Sequence, residues 1–327
     1  MNTHDKVLVL GGAGYIGAHV CKALHAEGVS PVVLDDLSTG HREFVQWGEL
    51  INCSILDKDA LLQVFEEVQP AVVMHFAARI EVGESVLDPL TYYQNNVAGT
   101  LNVLDAMKQV GCSKLVFSST AAVYGNPETD LIDEKQSCKP INPYGHSKYM
   151  VEQVLADSFT AYGINSVVFR YFNACGADPD GLIGEDHTPE THLIPNIYMA
   201  ATGKRECLTI FGNDYDTQDG TCIRDYIHVA DLAHAHVLGC RYMADHVGHF
   251  VFNLGTSAGV SVNTLFKEAE GVIGKAIPVV MGERRMGDTS VLVADASLAM
   301  QTLGWKPKYS DLDTILDTSW RWYTRRF

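Results

Sequence analysis

The sequence predicts an α/β protein, a doubly wound parallel sheet followed by a smaller second unit of mixed α/β character. Three observations predict it. Short runs rich in Val, Leu and Ile alternate with stretches of helical spacing from residue 6 to residue 170. The first apolar run stops at a glycine-rich turn that opens a helix, and beyond Asn173 the chain turns to Gly, Asp, Pro and Glu. A chain of 327 residues, 46% of them hydrophobic, is long enough for one large domain or two modest ones.

Lys6 to Leu10 reads as a strand, Gly11-Gly12-Ala13-Gly14-Tyr15-Ile16-Gly17 as the turn, and Ala18 to Ala26 as the helix. Strand, glycine turn and helix are the context a dinucleotide-binding fingerprint requires. The glycines let the backbone approach a pyrophosphate, and the free N–H groups and dipole of the helix start favour its charge. Val32 to Leu34 forms the next strand and ends in Asp35-Asp36, with Asp35 18 residues past Gly17. A carboxylate there accepts ribose hydroxyls and repels a 2′-phosphate, which selects NAD over NADP; the plainer reading is that Asp35 only ends a strand.

The alternation continues with Glu49 to Asn52 as strand, Asp57 to Glu67 as helix and Ala71 to His75 as strand. Leu90 to Val110 reads as one long helix, Lys114 to Ser118 as strand, Pro143 to Tyr162 as helix and Ile164 to Arg170 as the sixth strand. Ligands of open α/β sheets bind beyond the carboxyl ends of the strands, so Gly11, Asp35, Phe76, Thr120 and Tyr171, each just past a strand, should converge on one crevice. Residues 1–174 are thus expected to form the dinucleotide-binding domain. Cys175 to His192 reads as a loop leading into a second domain over 175–327, from which residues 226–256, a helix at Ala230 to Arg241 and a strand at Phe250 to Leu254, return to the main sheet. Gly304-Trp305 marks a helix stop and a buried aromatic, and Leu312 to Phe327 a closing helix with an arginine-rich end suited to its dipole.

Composition excludes several partners. A formal charge of −16 argues against nucleic acid or an anionic membrane, so any anionic ligand must be caught by individually placed arginines. The apolar runs, such as Ala71 to Ala78, are far too short to span a bilayer, and the first six residues lack the apolar segment of a signal peptide. Eight cysteines without a Cys-x-x-Cys pair are expected as free thiols in a reducing, cytoplasmic setting. No metal is expected: His234 and His236 do not share a helical face, and 13 histidines make such near pairs ordinary.

The chemistry is carried by Thr120 to Lys148. Tyr144 and Lys148 lie four apart at the start of a helix, hence on one face, where the ammonium can sit beside the phenol and favour its ionised form. A phenol titrates near pH 10, so a base for neutral pH needs such a cation, and the Thr120 hydroxyl can pass it the substrate's proton. Tyr-x-x-x-Lys also occurs by chance in helices, and the glycine turn upstream gives it weight.

With Ser118-Ser119-Thr120, Tyr124-Gly125 and Tyr144/Lys148 added to the fingerprint, the chain resembles the extended short-chain dehydrogenase/reductase family, and its fold is expected to be of Rossmann type. HFAA with VGES at Val82 to Ser85, NNVAGT at Asn95 to Thr100, RYFN at Arg170 to Asn173, FGNDY at Phe211 to Tyr215, RDYIHV at Arg224 to Val229 and ADAS at Ala294 to Ser297 look like the UDP-glucose 4-epimerase branch, over nearly the whole chain. The resemblance implies a cytoplasmic homodimer that inverts C4 of a UDP-hexose through a 4-keto intermediate, with NAD as transient hydride acceptor. It implies Tyr144, Thr120 and Lys148 as catalytic. Gly11, Gly14, Tyr15, Ile16, Gly17, Asp35, Asp36, Ser54, Ile55, Phe76, Ala77, Asn95, Ser118, Tyr144, Lys148 and Tyr171 would line the NAD. Thr120, Tyr144, Asn173, His192, Leu193, Phe211, Arg224, Arg285, Asp288 and Leu292 would hold the UDP-sugar.

Some positions depart from the family pattern. Ser54 stands where an aspartate often reads the adenine, Ile80 where a lysine often touches the cofactor, and Thr120 where serine is commoner. Leu292 falls where a tyrosine often crowds the sugar C2 side, which implies weak activity on N-acetylhexosamines; a core residue of a strand is the plainer reading. Related dehydratases and decarboxylases use acidic residues directly after the threonine, where this chain has Ala121 and Ala122. A non-catalytic NAD-sensing protein would have no need of Tyr144 and Lys148, and both are present.

Overall fold

A computed structural model describes residues 6–285 and 289–327. The glycine turn follows from packing. In the first βαβ unit, β1 (Val7–Leu10) runs into α1 (Tyr15–Ala26) through Gly11, whose φ of +76° suits only glycine and whose added Cβ would lie 2.5 Å from the Ala77 nitrogen. At Gly17 a Cβ would meet the Gly11 carbonyl oxygen at 2.2 Å, so helix and turn close on one another only without side chains. The chain continues through β2 (Pro31–Asp35), β3 (Glu49–Asn52), α2 (Lys58–Val68) and β4 (Val72–His75).

The region expected as one long helix is three pieces. After α3 (Val82–Leu87), α4 (Pro89–Tyr92) starts with Asp88 capping the Thr91 N–H and proline in the first turn. Tyr93–Ala98 then widens into a π-helical turn before α5 (Gly99–Val110). The widening turns Asn96 inward, where its amide donates to the Arg79 carbonyl and the Ser147 hydroxyl, both at 3.0 Å. Such bulges recur at functional sites because they aim a side chain that a regular helix would misplace.

β5 (Lys114–Thr120) extends to Thr120, so the threonine ends the strand rather than following it. β6 (Leu131–Ile132) leaves the main sheet, α6 (Pro143–Tyr162) is capped by Asn142, and β7 (Asn165–Tyr171) is buried throughout. The loop expected from Cys175 is preceded by a short strand, β8 (Asn173–Cys175), and leads to α7 (Leu193–Ala201). Next come β9 (Leu208–Phe211), β10 (Ile223–His228), α8 (Val229–Asp245) and β11 (His249–Leu254). The chain ends with β12 (Gly259–Ser261), α9 (Val262–Ile273), β13 (Val279–Gly282), β14 (Val291–Ala294), α10 (Ser297–Leu303) and α11 (Leu312–Arg326).

Seven strands form the main sheet in the order β11-β7-β5-β4-β1-β2-β3, all parallel. Strand β11 pairs with β7 and completes the edge. The chain winds outward from β1 to β3, then crosses back to place β4 beside β1, and the crevice at this switch point is where the glycine turn sits. Helices α1 and α8 cover one face over Val9, Val33, Met74 and Val167, while α2, α5 and α6 cover the other over Leu8, Leu34, Val73 and Phe117. A second sheet, β12-β10-β14-β6 with β8 on β10, and the pair β13-β9 flank the carboxyl ends of the main strands. Trp305 is fully buried after the Gly304 cap, and Arg325 and Arg326 fill the last turn of α11. No helix among the described residues is long and apolar enough to cross a membrane.

Candidate active site

The crevice is built from strand ends. Thr120 closes β5 in extended conformation (φ −150°, ψ 150°), and its hydroxyl accepts the Ala122 N–H at 3.1 Å, which turns the chain sharply away from the sheet. Opposite it, α6 begins with Pro143 behind the Asn142 cap, which accepts the Gly145 N–H at 2.8 Å, so Tyr144 and Lys148 are carried on the first rigid turns. Ser147, between them, donates to the Tyr144 carbonyl at 2.7 Å and receives the Asn96 amide, which ties the widened turn to the catalytic helix.

Tyr144 is half-buried, and loss of solvent pushes its phenol up to about 12, with Thr120 hydrogen bonding to it and pulling the other way. Lys148 is buried, which lowers its ammonium to about 7, while the carboxylate of Glu152 one turn on opposes the shift. The ammonium was expected beside the phenol. It donates to the Ser118 carbonyl at 2.8 Å and lies 5.0 Å above the Phe117 ring, because β5 offers a carbonyl at its carboxyl end that a buried cation must take. Ser118 and Tyr171, at the ends of adjacent strands β5 and β7, share a hydroxyl hydrogen bond.

On the cofactor side, α1 has no side-chain cap at Gly14 and no acidic residue in its first turn, which leaves the helix start open to an anion. Tyr15 turns away and donates to the Gly176 carbonyl at 2.6 Å, and half-buried Ile16 packs on the core, so both would meet a ligand through backbone. Asp35 is buried, and its oxygens accept the N–H groups of Ala13 at 2.9 Å and Leu37 at 2.8 Å. It therefore braces the glycine turn, with lone pairs left for a ribose. Burial raises its carboxyl, and the two amides hold it back. Asp36 lies beside Ser54 and Arg79, so the serine that replaces an adenine-reading acid joins a polar edge there. Ile55 is buried against Gly99 and belongs to the core. Phe76 packs at 4.9 Å on the buried ring of His236, Ala77 adjoins Gly11, and Asn95 sits half-buried in the widened turn. These features, a turn that tolerates no Cβ, an uncapped helix start and a carboxylate at the next strand end, fit a dinucleotide.

On the substrate side, the Asn173 amide donates to the Asp225 carbonyl at 3.2 Å, and Leu193 opens α7 directly after His192 at its cap. Arg285 lies over the Phe211 ring at 4.1 Å, bringing together two residues predicted to hold the nucleotide. Arg224 donates to the carbonyls of Ile223 and Thr289, each at 2.9 Å. Leu292 pairs in register with Arg224 and packs on the cluster of Ala121, Val123, Tyr124 and Phe172 beside the Thr120 turn. Asp288 lies outside the described residues.

The model of the NAD dependent epimerase/dehydratase family matches residues 7–255. The chain belongs to that family. A UDP-glucose 4-epimerase of Rhizobium meliloti is 49% identical over 99% of this chain and 98% of its own. Among solved structures, a UDP-glucose 4-epimerase from Brucella ovis in complex with NAD superposes with a TM-score of 0.94 at 49% identity, covering 96% of this chain and 97% of that one. One from Bifidobacterium longum in complex with NAD+ and UDP gives 0.93 at 38% identity over 98% of each chain. The family's cofactor is NAD, and the fold is the Rossmann-type one expected.

Several residues that organise this epimerase-family site were not singled out from sequence. Asn96 and Ser147 bridge the widened turn to α6. Asp225, fully buried, accepts from Thr256, Ser257 and Ala294 and so fixes β10 beside Arg224. Glu152 pairs with Arg170 at 2.5 Å inside the core and also accepts from Ser119. A charged residue inside an apolar helix face was the only signal available for Glu152.

Proposed function

We propose that this chain interconverts UDP-glucose and UDP-galactose by inversion at C4. The observation that carries the reading is the convergence of Tyr144, Thr120 and Lys148 at the carboxyl end of β5 beside a dinucleotide-binding turn, with alanines at 121 and 122 in place of any acid for elimination. The chemistry that NAD supplies when bound is removal and return of the hydrogen at C4.

The protein's own groups do the rest. Tyr144 takes the proton of the 4-hydroxyl, with the Thr120 hydroxyl passing it across, and returns it when the ketone is reduced from its other face. A phenol pushed up to about 12 by burial must be brought down to act near neutral pH, and the groups that would do so are the Lys148 ammonium and, when NAD is bound, its positively charged ring. Lys148, anchored on the Ser118 carbonyl, fixes the nicotinamide side of the crevice. Gly11, Gly14 and Gly17 would let the pyrophosphate approach the backbone, and Asp35 would receive the adenosine ribose. Arg224 and Arg285 hold the substrate diphosphate through guanidinium forks, with Asn173, His192, Leu193 and Phe211 around the nucleotide.

The sheet of seven strands serves as the cofactor unit, residues 1–174 with the return of 226–256, and 175–327 mainly as the substrate unit, with Leu131–Ile132 reaching across to pair with β14. Exposed Val86, Leu87 and Leu90 on α3 and the adjoining turns support a homodimer. Eight free cysteines support a cytoplasmic setting. A second reading, action on N-acetylated hexosamines, rests on Leu292 in place of a ring.

Incubation with UDP-glucose, UDP-galactose and their N-acetylhexosamine counterparts, resolved by chromatography, tests both readings. The hexose pair should equilibrate, the N-acetyl pair only slowly, and Tyr144→Phe should lose about 10²- to 10⁴-fold in rate while keeping fold and NAD binding. Wild-type turnover in Tyr144→Phe would remove the base.

A further inference from the structure

The loop between β8 and α7 gathers four side chains that the epimerisation chemistry does not account for as a set. Glu185, His187, Glu190 and His192 each offer one donor atom, and all four atoms lie within 4.8 Å of one another. Each imidazole faces both carboxylates. His192 Nδ1 is 2.9 Å from Glu185 Oε1 and 3.2 Å from Glu190 Oε1, while His187 Nδ1 is 3.4 Å from Glu185 Oε1 and 3.8 Å from Glu190 Oε2. A tetrahedral ion bound at about 2.0–2.1 Å requires donor atoms about 3.3–3.4 Å apart, in the middle of that range. Both imidazoles point the same nitrogen inward, and His187 Nδ1 is buried without a hydrogen-bond partner. The carboxylate oxygens that face it, at 3.4 and 3.8 Å, stand farther off than an ordinary N–H···O bond.

The loop is built to hold this shape. The Tyr15 ring meets His187 edge-on at 6.1 Å, His187 lies 5.1 Å from His192, and the Glu185 carbonyl accepts the Trp322 indole N–H at 3.0 Å. Glu185 is buried, and the carboxylates of Glu185 and Glu190 show only 8% and 10% of their surface. Two carboxylates and two neutral imidazoles form an N2O2 set whose charge a divalent ion balances, and imidazole with carboxylate in a tetrahedron suits zinc.

We propose that Glu185, His187, Glu190 and His192 form a structural zinc site that clips the loop to the start of α7. With four protein donors the shell is closed, so the ion takes no substrate. The alternative use of the same groups is a pair of carboxylate–imidazolium contacts with no metal.

The test uses the full chain with its bound nucleotide, dialysed against a chelator and then titrated with Co2+ as a spectroscopic stand-in and with Zn2+. The expected result is uptake of about one equivalent per chain, with the intense visible bands of tetrahedral cobalt and no sulfur-to-cobalt band, displaced by Zn2+. His187→Ala and Glu190→Gln should each weaken uptake by about 10- to 100-fold, and Zn2+ should raise the melting temperature of the wild type but not of the variants. Absence of tetrahedral bands in the wild type, equal uptake in both variants, or a thiolate band showing that cysteines hold the ion would each overturn the site.

Discussion

Lys148 shows how one buried residue ties stability to chemistry. Its ammonium is held at about 7 against an ordinary 10.5, first because it is buried. Between those two values the unfolded chain binds more protons than the folded one, so folding becomes more favourable as pH rises across the window, and below about 7 the penalty is complete. Nucleotide-free wild type should therefore gain melting temperature relative to Lys148→Met from pH 7 to pH 9. A difference that stays flat with pH would mean that Lys148 is not depressed. Sequence could supply the spacing of Tyr144 and Lys148, because four residues on a helix fix a shared face. It could not supply the acceptor, because the Ser118 carbonyl reaches the ammonium only once β5 and α6 are packed. Asp35 is similar: its place at the end of the second strand was legible, but the two backbone amides it braces were not.

The elements were legible where periodicity and capping agreed. Alternating apolar runs and helical spacing give the strands and helices of the main sheet, and the helix read from Pro143 to Tyr162 has the bounds of α6. The widened turn at Tyr93–Ala98 escaped because its residues have helical spacing, and the shift is driven by Asn96 reaching Arg79 and Ser147, a tertiary contact. Leu131–Ile132 escaped because two residues carry no period. One contact between elements dominates the catalytic helix. Glu152 on α6 and Arg170 on β7 form a buried ion pair, with Arg170 also donating to Tyr124 at 3.1 Å. Removing one charge leaves the other buried and unpaired, which costs about 3–5 kcal/mol. Glu152→Gln should lower unfolding free energy by about that amount in urea, and a loss below about 1 kcal/mol would place the pair among weakly coupled surface bridges.

At the scale of the whole molecule, the main sheet presents its strand ends to the smaller second sheet, and apolar side chains are left exposed on α3 and α4. Leu87 and Leu90 are 87% and 77% exposed on neighbouring turns, an arrangement that a second copy of the chain would cover. Leu87→Glu combined with Leu90→Glu should shift sedimentation from dimer to monomer, and a wild type that already sediments as a monomer would contradict the assembly. The central claim is that the hydrogen leaving C4 returns to the same sugar, with Tyr144 handling only the proton. UDP-galactose carrying deuterium at C4, incubated with the protein in ordinary water and no added reductant, tests this most directly. The account predicts UDP-glucose with the deuterium retained at C4 and no accumulation of reduced cofactor, whereas loss of the deuterium to solvent, or no UDP-glucose at all, would contradict it.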